Sequence, residues 1–449
     1  MAQQRTQFVS KFGAIAAAVG SAVGLGNIWK FPYIVGQNGG AAFLLIYLLC
    51  VLLMGIPALI TELSVGRISQ SNPIDAFYKL SGNHCWTFIG ILGVLAAFLI
   101  LSFYLIVAGW SLEYIVQSIS TLSFQNMSAE QLQESFAIFS SGSIRPYIWA
   151  IAFVVLNIIV IVLGVQKGIE KCSEILMPIL FVVIIFLAIR VYFLPNSSAG
   201  YEFYLAPDFS KITPSVVLSA LGQSFFSLSL GLGAILVYGS YMQTGNIVHT
   251  SWQIALLDSL IAILAGLVIF PAVFAYGIEP GEGPSLAFVA LPAVFSQMPG
   301  GIVFSFLFFL LLAIAALTST ISLFETCTAS VAEHFKIKRG WALAVIAVLV
   351  VITSMLCCAS LNPDLHLTIF GKSVFDWFND ISSNFMLPIG GLAMSLFLGW
   401  AYPKKKLQLA LSQFGMPNWL FRIYIVFIRI IVPLIILLVM LQQFGLFKF

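Results

Sequence analysis

Two long apolar segments of this chain are each interrupted in the middle by a glycine-rich run. The first contains Gly20-Ser-Ala-Val-Gly-Leu-Gly-Asn27, and the second contains Ser227-Leu-Ser-Leu-Gly-Leu-Gly-Ala234. At membrane depth no water bonds to the backbone, so an unwound stretch survives only where protein or a filled cavity supplies partners. Two such breaks in corresponding positions predict the binding site of a secondary transporter. Packing glycines, which are common in transmembrane helices, are the alternative explanation.

The composition indicates an integral membrane protein. Hydrophobic residues make up 60% of the 449 residues and charged residues only 8%, far from the balance of a soluble domain. The net charge of +3 gives no reason to expect nucleic acid as a partner. The six cysteines lie in or beside the apolar segments, so the sequence predicts no disulfide framework.

Apolar runs of about 20 residues predict eleven membrane spans, numbered here in chain order. Spans 1 to 5 cover residues 13–35, 41–66, 86–120, 146–164 and 170–193; spans 6 to 10 cover 212–242, 249–276, 300–334, 340–360 and 375–402; span 11 covers 418–446. Gly24 and Gly231 lie 207 residues apart, each in the first span of a block of five. Because five is odd, the second block is inserted upside down relative to the first.

We therefore expect two inverted repeats, residues 13–193 and 212–402. Residues 1–12 would form a cytoplasmic segment, 194–211 an outer loop, and 403–449 a cytoplasmic loop followed by span 11. With the N-terminus inside, twelve of the twenty basic residues fall on the cytoplasmic side and five outside, as the positive-inside rule requires. The odd number of spans then leaves the C-terminus extracytoplasmic.

Several motifs resemble those of one transporter family. They are Gly20-Ser-Ala-Val-Gly-Leu-Gly-Asn-Ile-Trp-Lys-Phe-Pro32, Asn38-Gly-Gly40, Gly55-Ile-Pro57 with Glu62 and Gly66-Arg67, and Leu317-Thr-Ser-Thr320. Over spans 1–10 the chain resembles the neurotransmitter:sodium symporter family of sodium-coupled amino-acid transporters. The resemblance implies an all-α, LeuT-like inverted repeat of 5 + 5 transmembrane helices plus an eleventh, with helices 1 and 6 unwound at mid-membrane. The eleven-span form with short termini is similar to bacterial members, which implies a bacterial inner membrane. The rule on broken helices was itself drawn from LeuT, a member of this family.

The chemistry of the breaks follows from the residues themselves. A half-helix starting near Leu25 directs free N–H groups and a positive dipole end into the cavity, which suits a carboxylate. The opposing helix ends leave free carbonyls, which suit an ammonium group and Na⁺. Sodium is a hard cation that prefers oxygen ligands. Side-chain oxygens stand near both breaks, on Asn27, Ser227 and Asp258 for one site and on Thr318 and Ser319 for another.

The resemblance implies specific ligands for two sodium ions and a substrate. The first ion would take the Ala22 carbonyl, Asn27, Ser227, Asp258 and the substrate carboxylate; the second would take the carbonyls of Gly20, Val23 and Ala315 with the hydroxyls of Thr318 and Ser319. The substrate site would comprise Ser21, Ala22, Leu25, Gly26, Ile100, Tyr104, Phe226, Ser227, Ser229, Leu232, Ser319 and Leu323. Tyr104 would donate to the substrate carboxylate, and Phe226 would close over the substrate from outside. Hydrogen bonding of Thr318 and Ser319 to their own helix is the alternative for these two hydroxyls.

The expected pocket walls are mostly apolar or small, which predicts a neutral amino acid with a hydrophobic or aromatic side chain. Glu325, two residues beyond Leu323, is the residue that would contradict this prediction, because an intramembrane carboxylate is functional by default.

Charged residues predict two gates. Lys30 would pair with Asp380 or Asp376 on the outer side, where the family usually has arginine, and lysine lacks the bidentate fork. On the inner side Arg5 would pair with Glu333, near Tyr241. Solvated surface pairs worth ~0–1 kcal/mol are the alternative for both.

Asp258 predicts that no chloride is required. Many family members have asparagine here and a chloride nearby, whereas this chain has Tyr47, Gln223 and Ser227 with Ala262 one turn on. A fixed carboxylate at Asp258 would supply that negative charge itself, or would release a proton inward on the return step.

Together these residues predict Na⁺-driven symport of a neutral amino acid into the cell by alternating access. The expected partners are the amino acid, sodium ions and the lipid bilayer. An enzyme is not expected, because the four histidines lie in loops or at span ends without metal-ligand spacing. A substrate-sensing receptor, a proton-coupled amino-acid transporter and a channel-like leak remain as alternatives.

Overall fold

The computed structural model describes residues 7–120, 127, 129–142, 144–277, 286–365 and 367–443. Within these ranges nine helices are long and apolar enough to cross a membrane. They are span 2, Ala41–Ser69; span 3, His84–Ile119; span 4, Arg145–Val162; span 5, Val165–Tyr192; span 7, Ile247–Ala275; span 8, Gly301–His334; span 9, Arg339–Ala359; span 10, Val374–Ala401; and span 11, Asn418–Leu441.

The other two predicted spans are broken. Span 1 consists of Lys11–Ala22 and Gly26–Gln37, bent by 47° at the break. Span 6 consists of Pro214–Ser227 and Ala234–Tyr241, separated by residues 228–233. Each half is too short to cross a membrane alone, so the broken helices account for the difference between nine continuous spans and the eleven predicted. The unwinding of helices 1 and 6 is confirmed.

Short elements connect the spans in the described part of the chain. The helices are Pro73–Ser81, Ala129–Gly142, Ser198–Leu205, Leu291–Gln297 and Lys404–Gln413, with 3-10 turns at His84–Trp86, Phe209–Lys211 and Pro363–Leu365. Thr368–Ile369 and Lys372–Ser373 pair antiparallel in a small hairpin just before span 10. Segments of π-helix occur at Gly26–Lys30, Val51–Gly55, Val165–Glu170, Leu286–Ala290, Ile381–Met386, Phe397–Ala401 and Phe427–Ile431.

Close helix packing holds the broken spans in place. Span 8 packs along span 3, and the second half of span 6 packs along span 2. A Cβ atom on Gly66 would lie 2.0 Å from the Leu236 carbonyl oxygen, and one on Gly239 would lie 2.7 Å from the Leu63 carbonyl oxygen. Spans 2 and 6 therefore touch backbone to backbone, which fixes the second half of span 6.

We expect Gly66→Ala to destabilise the protein by ~1–3 kcal/mol, since the added methyl group must push span 2 away from span 6. Gly340→Ala is the matched control, because a Cβ there meets no atom within 4 Å and should change stability by less than about 0.5 kcal/mol. Thermal unfolding of both variants in detergent measures the difference. Equal melting temperatures would contradict the close contact of spans 2 and 6.

Candidate binding site

The break in span 1 exposes backbone N–H groups that side chains satisfy. The backbone is extended at Val23, with φ −69° and ψ 114°. The Gly24 N–H donates to Asn27 Oδ1 at 3.1 Å, and the Leu25 N–H donates to Tyr104 Oη at 2.6 Å. The start of the second half-helix, where an anion is expected to bind, is thus lined by a tyrosine hydroxyl that retains its own proton to donate.

The break in span 6 depends on residues with positive φ. Ser229, Gly231 and Gly233 have φ of 52°, 84° and 76°, a region that glycine enters without steric cost. The Gly231 N–H donates to Glu62 Oε1 at 2.5 Å, and Glu62 is a buried residue of span 2. Ser229 Oγ donates to the Ser21 carbonyl at 2.9 Å. The two breaks are therefore bonded to each other and to span 2.

A small cavity of about 30 Å³ lies between the breaks. It is lined by Ser21, Ala22, Gly24, Gly26, Ile100, Tyr104, Phe226, Ser229, Leu232, Ser319, Leu323 and Leu387. Ten of the twelve predicted substrate residues are among them. The exceptions are Leu25, which lines the neighbouring cavity, and Ser227, whose hydroxyl turns to Asp258.

Two lining residues, Gly24 and Leu387, were not predicted. Gly24 lies inside the motif of span 1, where a Cβ would approach Tyr104 Oη and Ser319 Oγ to 2.4 Å, so any larger residue would fill the site. Leu387 is an apolar residue on an apolar helix, and nothing in its sequence context distinguishes it from a core leucine.

A second cavity of about 150 Å³ adjoins the first beside the first turns of span 10. Its lining includes Trp29, Phe103 and Phe375, and it shares Gly26, Tyr104 and Phe226 with the smaller cavity. The Lys30 ammonium lies 3.8 Å from the centroid of the Phe226 ring, a cation–π contact. Phe226 therefore separates the two cavities, the position in which it would cover a bound substrate.

The first predicted group of oxygens forms a hydrogen-bonded cluster around Asp258. Asn27 Nδ2 donates to Asp258 Oδ1 at 2.8 Å and to Ser227 Oγ at 3.0 Å. Ser227 Oγ and Tyr47 Oη donate to Asp258 Oδ2 at 2.7 and 3.5 Å. The cluster joins spans 1, 2, 6 and 7 beside the cavity. Ala22, the fourth predicted ligand, lines the cavity next to it.

The second predicted group lies between spans 1 and 8. Ser319 Oγ is 3.0 Å from the Val23 carbonyl oxygen and 3.3 Å from that of Gly20, and Thr318 Oγ1 is 3.1 Å from that of Ala315. Thr318 bonds to its own helix, as in the alternative explanation, whereas Ser319 reaches across to span 1. All five oxygens are uncharged hydroxyl or carbonyl oxygens, and this chemistry fits a small hard cation.

The predicted outer gate is not closed by an ion pair in this conformation. Asp380 Oδ2 accepts a bond from Lys372 Nζ at 2.6 Å, and this bond raises the pKa of Lys372. Asp376 accepts from Ser373 Oγ at 2.6 Å in the first turn of span 10. Lys372 lies on the hairpin just before span 10 and reaches Asp380 locally, whereas the Lys30 ammonium stacks on Phe226.

Glu325 is a buried residue of span 8 that forms an ion pair with Arg339. Arg339, at the start of span 9, binds both carboxylate oxygens of Glu325 at 2.8 and 2.5 Å. Tyr241 Oη donates to the same carboxylate at 2.6 Å. Glu325 is absent from the lining of the cavity, so its charge is neutralised by Arg339 and is not presented to a substrate.

The predicted inner gate is described in part. Glu333 Oε2 accepts from the backbone and the side-chain nitrogens of Asn72, both at 3.2 Å. Arg5 lies outside the described residues. Tyr241 is the last residue of span 6, where Phe8 packs edge-on against it and against Tyr238, with ring centroids 5.8 Å apart in both pairs.

The segment preceding span 1 is fixed to span 5 by two carboxylates. Glu170 accepts from the backbone N–H groups of Val9 and Ser10 at 2.9 and 2.7 Å, and Glu174 accepts from Ser10 Oγ at 2.7 Å. A Cβ on Gly13 would lie 2.4 Å from Glu170 Cγ, so a larger residue at this position would clash with the Glu170 side chain. Span 5 thus supplies acceptors for N–H groups at the start of span 1.

Comparison with known proteins agrees with this geometry. The sequence model of the sodium:neurotransmitter symporter family matches residues 5–140 and 123–448. The uncharacterized sodium-dependent transporter YhdH of Bacillus subtilis (strain 168) is 40% identical over 453 residues, covering 100% of this chain and 99% of that protein. An uncharacterized sodium-dependent transporter of Haemophilus influenzae is 35% identical over 98% of both chains.

A solved structure shares the fold. The crystal structure of MhsT in complex with L-phenylalanine superimposes with a TM-score of 0.90 and 39% sequence identity, covering 98% of this chain and 99% of that chain. This match confirms the expected LeuT-like helical fold. The family match over nearly the whole sequence, together with the two broken spans and the cavity between them, shows that this chain belongs to the sodium:neurotransmitter symporter family.

Proposed function

We propose that the protein carries a neutral, apolar amino acid into the cell together with sodium ions, by alternating access around the cavity between the breaks. The main support for this proposal is the cavity between the two breaks. Residues of both breaks line it, and the two oxygen groups lie directly beside it. MhsT, which has the same fold, was crystallised with L-phenylalanine, and this supports an amino-acid substrate.

The carboxylate end of the substrate would bind at the break of span 1. The second half-helix of span 1 begins there, and the Leu25 N–H and the Tyr104 hydroxyl meet beside the cavity. A carboxylate oxygen accepts bonds from both kinds of donor, and the positive end of the helix dipole favours its charge. Ser21 lines the cavity, and its carbonyl oxygen, which accepts a bond from Ser229 Oγ, would receive the ammonium group.

The chemistry of the remaining cavity walls favours a substrate with a neutral side chain. The hydroxyls of Ser21, Ser229 and Ser319 each already donate to a protein oxygen, and the larger walls are aliphatic. Glu325 is held by Arg339 away from the cavity lining. A charged side chain would therefore lose its hydration without gaining a partner, which is costly at this depth.

Two sodium ions would bind at the oxygen groups around Asp258 and around Ser319. The first group contains the Asp258 carboxyl group and would share its ion with the substrate carboxylate, so sodium and substrate would bind together. The second group joins span 1 to span 8, so its ion would hold the halves of the transporter in one arrangement. Each ion would replace hydrogen bonds that the oxygens now make with one another.

The double variant Thr318→Ala, Ser319→Ala should lose uphill amino-acid uptake, because two of the five oxygens at the second site are removed. Thr320→Ala is the control, since Thr320 lies on the same helix and its hydroxyl, among the described residues, bonds only to the Leu317 carbonyl. Uptake into proteoliposomes is measured against Na⁺ concentration for all three proteins. An unchanged sodium dependence in the double variant would remove the second site from the proposal.

We further propose that transport needs no chloride. Ser227 Oγ donates to Asp258 Oδ2 at 2.7 Å, and Tyr47 Oη donates to Ser227 Oγ at 3.1 Å and lies 3.5 Å from Asp258 Oδ2. The carboxylate thus occupies the position at which these donors converge. Its fixed charge supports balance of the sodium charge without a mobile anion.

Native transport should therefore run equally well in sodium gluconate and in sodium chloride. Asp258→Asn combined with Ala262→Ser should be slower in gluconate and recover in chloride, because the fixed charge is lost and a donor is added. Initial uptake rates in the two salts give the ratio for each protein. A native protein that stops in gluconate would show that Asp258 is not the counter-charge.

The gates complete the proposed cycle. Lys30 would leave the Phe226 ring and pair with Asp380 or Asp376 when the outer side closes, and Arg5 would pair with Glu333 beside Tyr241 when the inner side closes. We propose that the N-terminus faces the cytoplasm and the C-terminus the outside of a bacterial inner membrane, as the excess of basic residues in the cytoplasmic loops predicts.

A further inference from the structure

We propose that Leu387 of span 10 sets the upper size limit of the substrate side chain. This inference rests on the proposed function and adds a specificity-determining residue to it. Four large aliphatic residues line the cavity, one from each of four spans: Ile100, Leu232, Leu323 and Leu387. Leu387 is the contribution of span 10, and it is 1% exposed.

The local geometry of span 10 directs this residue to the cavity. The π-helical segment Ile381–Met386 ends immediately before Leu387. A π-turn holds more residues than an α-turn, so it shifts the helix face that follows, and such segments are frequent at functional sites. Without the segment, a neighbouring residue of span 10 would take the place of Leu387.

The backbone at Leu387 has no room to retreat. The Leu387 carbonyl oxygen would lie 2.6 Å from a Cβ on Gly231, and a Cβ on Gly390 would lie 2.9 Å from the Gly231 carbonyl oxygen. Gly231 is itself fixed by its φ of 84° and by its bond to Glu62. Span 10 therefore rests directly on the unwound backbone of span 6. On the span 10 side of the cavity, a larger substrate would therefore have to be accommodated by the Leu387 side chain and not by the backbone.

Span 10 also borders the neighbouring cavity. Asp376 and Asn379, which lie in the helix Val374–Asp380 just before the π-segment, line the 150 Å³ cavity. The same helix thus touches the substrate cavity at Leu387 and the outer cavity at its first turns. A side chain that presses on Leu387 would press on the helix that carries the outer carboxylates, so oversized amino acids should bind without being carried efficiently.

The test is the selectivity of uptake for large over small neutral amino acids. In Leu387→Ala the ratio of kcat/KM for tryptophan to that for leucine should rise roughly 10-fold, and in Leu387→Phe it should fall by a similar factor. Leu387→Val should give an intermediate rise, and it retains most of the packing if the alanine variant does not fold. Leu396→Ala is the matched control, since Leu396 lies on the same helix but is 38% exposed.

The sodium concentration for half-maximal uptake should stay unchanged in all four variants, because neither Leu387 nor Leu396 is one of the proposed sodium ligands. A selectivity ratio equal to that of the native protein in Leu387→Val and Leu387→Phe, with sodium-driven uptake intact, would overturn the role of Leu387. Absence of sodium-driven amino-acid uptake in the native protein itself would instead overturn the proposed function.

Discussion

The structure depends on one constraint, the need to satisfy backbone groups where two membrane helices unwind. A hydrogen-bonding group left without a partner in hydrocarbon costs several kcal/mol. Each break meets this cost with a few specific side chains. In span 1, Asn27 and Tyr104 accept hydrogen bonds from backbone N–H groups, and Ser319 donates to backbone carbonyls. In span 6, Glu62 accepts a hydrogen bond from the Gly231 N–H. These bonds are also what hold spans 2, 3 and 8 around the cavity.

On the proposed mechanism, the partners of the breaks are also the ligands of the cargo. Ser319 and the carbonyl oxygens that it bonds would coordinate one sodium ion, and the Asn27–Ser227–Asp258 cluster would coordinate the other. Binding then exchanges internal hydrogen bonds for ion contacts at two places. Because both groups span different helices, a change in either one biases the arrangement of the whole bundle.

Much of the site was predictable because it is local in sequence. The breaks and the hydroxyls beside them lie within recognisable sequence runs, and ten of the twelve residues predicted to bind substrate line one cavity. What the sequence did not predict depends on packing between distant segments. Leu387 faces the cavity because a π-helical segment precedes it, and no sequence motif predicts that segment. Glu325 forms an ion pair with Arg339, which lies beyond the loop between spans 8 and 9. Lys372 forms an ion pair with Asp380 because the hairpin before span 10 brings Lys372 close to that carboxylate.

Uptake driven by a sodium gradient is the most direct test of whether the protein couples amino-acid transport to sodium. Purified native protein in proteoliposomes is given a panel of labelled neutral amino acids, with an inward gradient of Na⁺ or of K⁺. If transport is coupled to sodium, at least one apolar amino acid accumulates above its external concentration with Na⁺ only, and a sodium ionophore abolishes the accumulation. Equal uptake in Na⁺ and K⁺ would contradict the coupling of substrate and ions at the two breaks.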